Sequence, residues 1–178
     1  AYAVAQGTSC YSVSPVTDAE QNVSQFYDYR VPSDYESEYE TGDGRFSSYG
    51  TGEYQESKGS VMLFYEGSEG ASLVLLHDQF PNSFGGGTLT MDFSGLPADG
   101  EWAVRDDVYT DPDGNPQDDD WDVGDTTASI DWMWGADDTG RNDGGAFRGV
   151  GNMSGTVVVD PAFNEEAEYW GDWEYSDT

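Results

Sequence analysis

Apolar and polar residues alternate along much of this chain, at the spacing of a β-strand with one buried face. Alternating runs occur at Val23-Tyr27-Tyr29-Val31, Leu89-Met91-Phe93, Trp102-Val104, Ala128-Ile130-Trp132-Trp134 and Val157-Val159. Residues 61–65 and 71–77 are apolar on both faces, and residues 66–70 between them have the composition of a hairpin turn. We therefore expect these two runs to be central strands of the core, and no recurring helical spacing competes with this pattern.

Glycine and proline separate the predicted strands. The 23 glycines and 7 prolines leave little room for long helices. Short strands between such turns predict an all-β fold, an antiparallel β-sandwich of the jelly-roll or immunoglobulin-like kind with long acidic loops. We divide the chain into an uncharged N-terminal strand segment (1–17), a β-sandwich domain (18–162) and an acidic, aromatic C-terminal strand or tail (163–178). Within the sandwich, residues 34–56 are predicted to be a solvated loop or an edge hairpin.

The N-terminal segment stands out because residues 1–17 carry no charge, in a chain of which 24% of the residues are charged. Tyr2, Val4, Tyr11 and Val13 make it competent to form a strand, and its neutrality predicts burial in a sheet. If that sheet belongs to a neighbouring subunit, these four residues form the assembly surface, and Tyr2 and Val4 point into the core of the acceptor. Pairing within its own subunit would instead favour a monomeric module.

The charge of the chain is strongly negative, with 36 acidic residues against 6 Lys and Arg and a net charge of −30. Such a surface repels itself in dilute buffer, whereas in molar salt the Debye length is about 3 Å and the repulsion is screened. The composition therefore indicates adaptation to high salt. Disorder is the competing interpretation, but disordered chains lack the aromatic residues and alternating runs found here. Cations are suitable partners for this surface, whereas nucleic acid and anionic membranes are not.

Two acidic segments have the chemistry of a calcium site, since calcium takes six to eight oxygen ligands. The candidate ligands are Asp111, Asp113, Asn115, Asp118 and Asp120 around a Pro- and Gly-shaped turn, and Asp137, Asp138 and Asp143 in a second cluster. The spacing does not match an EF-hand. The alternative is a salt-adapted surface that binds hydrated cations diffusely.

The residues needed for catalysis are scarce. The only histidine is His77, the only cysteine is Cys10, and no nucleophile elbow or phosphate-binding loop occurs. We predict that the protein is not an enzyme, that His77 is a strand-end or core residue, and that Cys10 is a buried small hydrophobe. A carboxylate pair for glycoside hydrolysis would arise by chance among so many acids. Trp121, surrounded by aspartates, is the tryptophan expected to be exposed and able to stack on a sugar.

The chain starts at Ala1 without an initiator Met and has no apolar stretch of membrane-spanning length. We expect an extracellular or cell-surface protein that has lost a signal peptide and does not insert directly into a membrane. Asn22-Val23-Ser24 and Asn152-Met153-Ser154 are glycosylation acceptor tripeptides, which fit that location.

Residues 95–107 (GLPADGEWAVRDD) and 143–149 (DGGAFRG) resemble secreted, acid-rich surface proteins of halophilic archaea. The resemblance implies a compartment and no particular activity. The combination of a neutral terminal strand with a β-sandwich is similar to jelly-roll subunits of extracellular filaments, in which a terminal strand of one subunit completes the sheet of the next.

We therefore predict a secreted structural protein that assembles with itself, head to tail, into a filament or surface layer by β-strand addition. The alternative is a monomeric calcium-dependent binding module, with carbohydrate as a candidate ligand.

Overall fold

The computed structural model describes residues 2–30, 47–80, 87–106, 119–134, 142–153, 155–163 and 174–175. Its strands in chain order are β1 (Tyr2–Gln6), β2 (Ser9–Val13), β3 (Val16–Thr17), β4 (Tyr29–Arg30), β5 (Ser47–Ser48), β6 (Ser60–Gly67), β7 (Gly70–His77), β8 (Gly87–Ser94), β9 (Glu101–Arg105), β10 (Asp120–Val123), β11 (Thr127–Trp134), β12 (Asp143–Arg148), β13 (Val158–Phe163) and β14 (Glu174–Tyr175). One helix, α1 (Val23–Tyr27), and a 3-10 helix (Val150–Asn152) complete the described elements. The predicted all-β fold is confirmed.

Two larger sheets form the sandwich. One has the strand order β10-β11-β8-β13, and the other has the order β14-β6-β7-β12-β9 with β3 also paired to β6. The pairs are antiparallel except that β3 and β14 run parallel to β6. The predicted hairpin is present, because β6 and β7 pair from Ser60↔His77 to Gly67↔Gly70. Two small two-stranded sheets, β1-β2 and β4-β5, lie outside this pair of sheets.

The second of these sheets is buried on both faces, which explains the apolar runs on its central strands. On one side Leu73 and Leu75 pack with Leu89, Ile130 and the fully buried Trp132 of the opposing sheet. On the other side a second cluster joins the sheet to α1; its members include Val61, Leu63, Val74, Leu76, Phe26 and Tyr27. Odd-numbered and even-numbered side chains of β7 thus pack in different hydrophobic clusters, on opposite faces of the sheet.

The alternating run from Val23 to Val31 is not a single strand, and this prediction is wrong for its first part. Residues 23–27 form α1. At its start the Asn22 side chain accepts a hydrogen bond from the Gln25 backbone N–H, and the Gln25 side chain accepts a hydrogen bond from the Asn22 backbone N–H. Asp28, with φ 49°, ends the helix. This capping box fixes the helix start. Val31 lies outside the described residues.

The segment predicted to be a solvated loop or an edge hairpin at 34–56 is partly buried in its described part, 47–56. Ser47, Ser48 and Thr51 have no exposed surface, and the Ser48 backbone N–H donates to Asn142 Oδ1 over 3.1 Å. Polar burial is tolerated here because these groups hydrogen-bond one another, for example Gln55 Nε2 to Ser48 O. Residues 31–46 lie outside the described part of the chain.

Within the described residues, no helix has the length and apolar character needed to cross a membrane.

Candidate functional site

The N-terminal segment folds as a hairpin of its own. β1 and β2 pair with each other in register from Tyr2↔Val13 to Gln6↔Ser9. Gly7, with φ 58°, and Thr8 form the turn, and a positive φ at the first turn residue is typical of two-residue hairpins. The segment is therefore strand-forming, as expected, but it pairs within its own subunit. It is not the single extended donor strand that the sequence suggested.

One face of the hairpin packs on the sandwich. The Tyr2 ring stacks on Phe64 with ring centroids 4.4 Å apart, Val13 is buried, and Val4 is half-buried. Ala3, on the opposite face, is exposed. The alternation of packed and exposed side chains that was expected for a strand docked on a neighbouring subunit is thus present. The hairpin docks, however, on the sandwich of its own chain.

An apolar groove of about 390 Å³ runs beneath β1, between β6 and the chain leading into β13. Val4, Met62, Phe64, Met153 and Val157 are among its lining residues, and no lining residue is charged. The groove is the open side of the sandwich core, and the hairpin partly covers it.

Two of the three exposed large hydrophobic side chains among the described residues lie beside this groove. Among the described residues the exposed large hydrophobic side chains are Tyr11 (48%), Met133 (44%) and Val158 (54%). Tyr11 belongs to β2 and Val158 lines the groove. We call residues 2–13 together with 155–159 the neutral face, because none of them is charged. Cys10 lies on this face and is exposed, so its predicted burial is wrong.

A second site lies at the pole of the sandwich where β7, β9 and β11 end and β10 and β12 begin. Four carboxylates at this pole are buried, those of Asp78, Asp106, Asp119 and Asp143. Of these, Asp106, Asp119 and Asp143 act on Tyr27, and we call these three the acidic pole. The Tyr27 hydroxyl donates a hydrogen bond to Asp106 Oδ2 over 2.9 Å. Burial, followed by the charges of Asp106, Asp143 and Asp119, raises the pKa of Tyr27 well above its ordinary value. Tyr27 thus stays protonated beside three carboxylates and serves as a donor.

Tryptophan side chains brace the acidic pole. Trp121 Nε1 donates to the Asp106 carbonyl over 3.1 Å, and Trp132 Nε1 donates to the Gly144 carbonyl over 3.0 Å. Trp121 is half-buried and packs edge-on against Trp102 and Trp132, so the expectation that it is exposed is wrong. Its place in this cluster follows from the pairing of Trp121 with Ile130 across β10 and β11.

The predicted calcium ligands fall in different places. Asp111, Asp113, Asn115, Asp118, Asp137 and Asp138 lie outside the described residues. Asp120 is exposed on β10, whereas Asp143 is buried at the start of β12. Within the described ranges no three His, Cys, Asp or Glu side chains are arranged to hold a metal ion. Sequence reasoning missed Asp106, although it follows Trp102 and Val104 at the same parity.

His77 ends β7 and is fully buried, which confirms that it is a strand-end core residue. Its Nδ1 lies 3.0 Å from Ser60 Oγ, and its ring packs against Trp132 and Trp134. Burial lowers its pKa to about 3, so the ring is neutral at ordinary pH. Ser60, His77 and Asp143 are paired across β6, β7 and β12. Within the described residues His77 Nε2 has no hydrogen-bond partner, so these three do not form a triad relay.

The two candidate glycosylation sites lie at the ends of short helical elements. Asn22 is the half-buried N-cap of α1, and Asn152 is the last residue of the 3-10 helix.

No family model, curated protein or solved structure matches this chain.

Proposed function

We propose that this chain is a secreted, salt-adapted structural protein of the cell exterior that associates with itself by β-strand addition at its N-terminal hairpin, as the subunit of a filament or surface layer. The observation that carries the proposal is the neutral face, an uncharged, partly apolar surface on a chain with a net charge of −30. An exposed apolar patch on a highly charged protein marks an interaction surface.

Electrostatics favours the neutral face as the contact between copies. Two such chains repel each other through their carboxylates, and bringing like charges together across an interface is costly. Contact at residues 2–13 and 155–159 keeps the carboxylates of the two copies outside the interface. Molar salt screens the repulsion that remains, so association and salt adaptation depend on the same property.

The hairpin is also placed to accept another strand. In the described part of the chain, β1 and β2 form a separate two-stranded sheet that is joined to neither larger sheet. Its attachment consists of side-chain packing, chiefly by Tyr2 and Val13. Backbone groups on its outer edge can therefore pair with a second molecule.

Two substitutions of equal charge test the proposal. Val4→Asp is expected to weaken self-association in 3 M NaCl by about a hundredfold or more, because a carboxylate in the groove must be desolvated or must undock the hairpin. Gln6→Asp adds the same charge at an exposed residue of β1 that does not line the groove, and it should keep most of the association. Sedimentation equilibrium measures both, with circular dichroism to establish that both variants are folded. Equal association of the two variants would refute the role of the docked hairpin.

A second candidate is a monomeric module that binds calcium at the acidic pole. Two observations favour it: the hairpin pairs within its own subunit, and Asp106, Asp119 and Asp143 are buried around one tyrosine hydroxyl. These three carboxylates are not by themselves arranged to hold a metal ion, so calcium would need further oxygen ligands from elsewhere in the chain. A divalent cation bound there would offset the repulsion among carboxylates held at one end of the sandwich. Carbohydrate is less favoured as its ligand, because Trp121 is half-buried against other tryptophans.

Calcium binding has a test of its own. Millimolar Ca²⁺ should raise the melting temperature beyond the effect of NaCl at the same ionic strength, by linkage to a folded-state site. Asp143→Asn should remove that increment, whereas Asp120→Asn, at an exposed position, should keep it. Equal increments in the wild type and both variants would leave only diffuse cation binding.

A further inference from the structure

The edges of the larger sheets carry residues that oppose strand addition. Charged residues and proline on an edge strand discourage pairing with another chain, and so do very short strands. β13 contains Asp160 and Pro161, β10 contains Asp120 and Asp122, and β9 contains Glu101 and Arg105. β3, β4, β5 and β14 are two residues long. Among the described strands at sheet edges, this leaves β1 and β2, which contain neither charge nor proline.

Of these two strands, β2 offers the open edge. β1 contributes three residues to the lining of the groove, Ala3, Val4 and Ala5, whereas β2 contributes only Cys10, so β1 lies nearer the sandwich. Ser9, Cys10, Tyr11 and Ser12 of β2 are all exposed. The outer edge of the hairpin is therefore the backbone of β2.

The turn fixes which backbone groups point outward. A two-residue turn is closed by a hydrogen-bonded pair, here Gln6↔Ser9, and hydrogen-bonded and non-hydrogen-bonded pairs then alternate along the hairpin. Ala5↔Cys10 and Ala3↔Ser12 are consequently non-hydrogen-bonded pairs. The N–H and C=O groups of Cys10 and Ser12 point away from β1, where a further strand would meet them.

We propose that β2 pairs with β2 of a second copy of this chain, antiparallel and across a two-fold axis at Tyr11, so that two intact hairpins form one four-stranded sheet. This inference rests on the proposed self-association. Cys10 then lies opposite Ser12 of the second copy, and all five residues of β2 are paired. The register joins the outward backbone groups of the two strands and places no charged residue opposite another.

The two-fold axis has a consequence for assembly. A contact that uses the same surface on both copies closes after two molecules. The dimer is then the building unit, and growth into a filament or layer takes place through another surface. This replaces the head-to-tail contact expected from the sequence with a symmetric one.

A cysteine at the axis tests this register. In a Cys10→Ser background, Tyr11→Cys places two cysteines in a non-hydrogen-bonded pair with Cα atoms about 4.5 Å apart, within the range of a disulfide. In 3 M NaCl under mild oxidation, most of the chain should become a covalent dimer that dithiothreitol reverses, as seen by non-reducing electrophoresis and mass spectrometry. The matched control, Cys10→Ser with Ala3→Cys, puts the two cysteines about 16 Å apart, three strand spacings across and two residues along the strand, and should remain uncrosslinked.

A second variant asks whether the hairpin stays intact. Ala5→Cys, with the native Cys10 retained, should form an intrachain disulfide across the non-hydrogen-bonded pair and lock β1 to β2. The locked chain should retain the wild-type sedimentation mass, because the outer edge of β2 is unchanged. A locked chain that stays monomeric while the wild type associates would show that the hairpin must open, and would overturn the inference.

The remaining outcomes separate the inference from the proposed function. A wild type that associates while Tyr11→Cys crosslinks no faster than Ala3→Cys overturns β2 pairing and leaves self-association to another surface. A wild type that is monomeric in 3 M NaCl overturns both.

Discussion

The free energy of unfolding of this protein is expected to rise steeply between dilute buffer and molar NaCl. The chain carries 36 acidic residues and 6 Lys and Arg, so the folded state concentrates a charge of −30 that the unfolded chain spreads out. The Debye length falls from about 10 Å at 0.1 M salt to about 3 Å at 1 M, which removes most of that repulsion. Urea titrations at a series of NaCl concentrations measure the effect through the unfolding midpoint.

The salt series needs a control for ion identity. KCl at matched ionic strength should give the same curve as NaCl if screening is the cause, whereas a difference between the salts would indicate specific sites. A midpoint that does not change between about 0.1 and 3 M salt would contradict adaptation to high salt.

Acid should destabilise the protein through His77. Burial lowers the pKa of His77 to about 3 in the folded state, below the ordinary 6.5 of an unfolded chain. The unfolded state therefore binds the proton more tightly, and the stabilisation by neutral His77, complete above pH 6.5, is lost as the pH falls toward 3. The full loss is on the order of several kcal/mol.

His77→Asn isolates this contribution. Asparagine can keep a hydrogen bond to Ser60 Oγ but carries no titrating ring, so the variant should be less stable at pH 8 and should lose less stability on acidification. Carboxylate protonation affects both proteins alike and cancels in the difference. Because the chain has a single histidine, its ring proton also reports the pKa directly by NMR. Parallel pH curves for the two proteins would contradict the buried neutral histidine.

The sequence predicted the sandwich well where a strand has a simple two-residue period. β8 and β11 bury Leu89, Met91, Ile130 and Trp132 as the alternation requires, and β6 and β7 are central because one sheet is covered on both faces. These features depend on local patterning, which the sequence displays directly.

Two local signals were present but were outweighed by the period-two pattern. Val23 and Tyr27 are four residues apart, a spacing that also places them on one face of a helix, and Asn22 with Gln25 is a capping-box pair. Gly7 divides the neutral segment into two equal strands, which predicts a hairpin rather than one long strand. To recognise either signal, one cap or turn residue must be given more weight than several alternating apolar residues.

The acidic pole was hidden from sequence reasoning because it is assembled by topology. Asp106 follows β9, Asp119 precedes β10 and Asp143 begins β12, and these strand ends meet only through the pairing of β12 with β9 and the packing of the two sheets. An acid-rich composition also conceals the few carboxylates that are buried. The sequence alone does not show that Asp143 is buried and Asp120 is exposed.

The central claim is that copies of this chain meet through the N-terminal hairpin when salt screens their charge. Sedimentation equilibrium in 3 M NaCl, comparing the full chain with one that lacks residues 1–13, tests it most directly. The full chain should show a mass that rises with concentration above the monomer value of 19.4 kDa, and the shortened chain should remain a folded monomer. A monomeric full chain, or equal association of both chains, would contradict the claim.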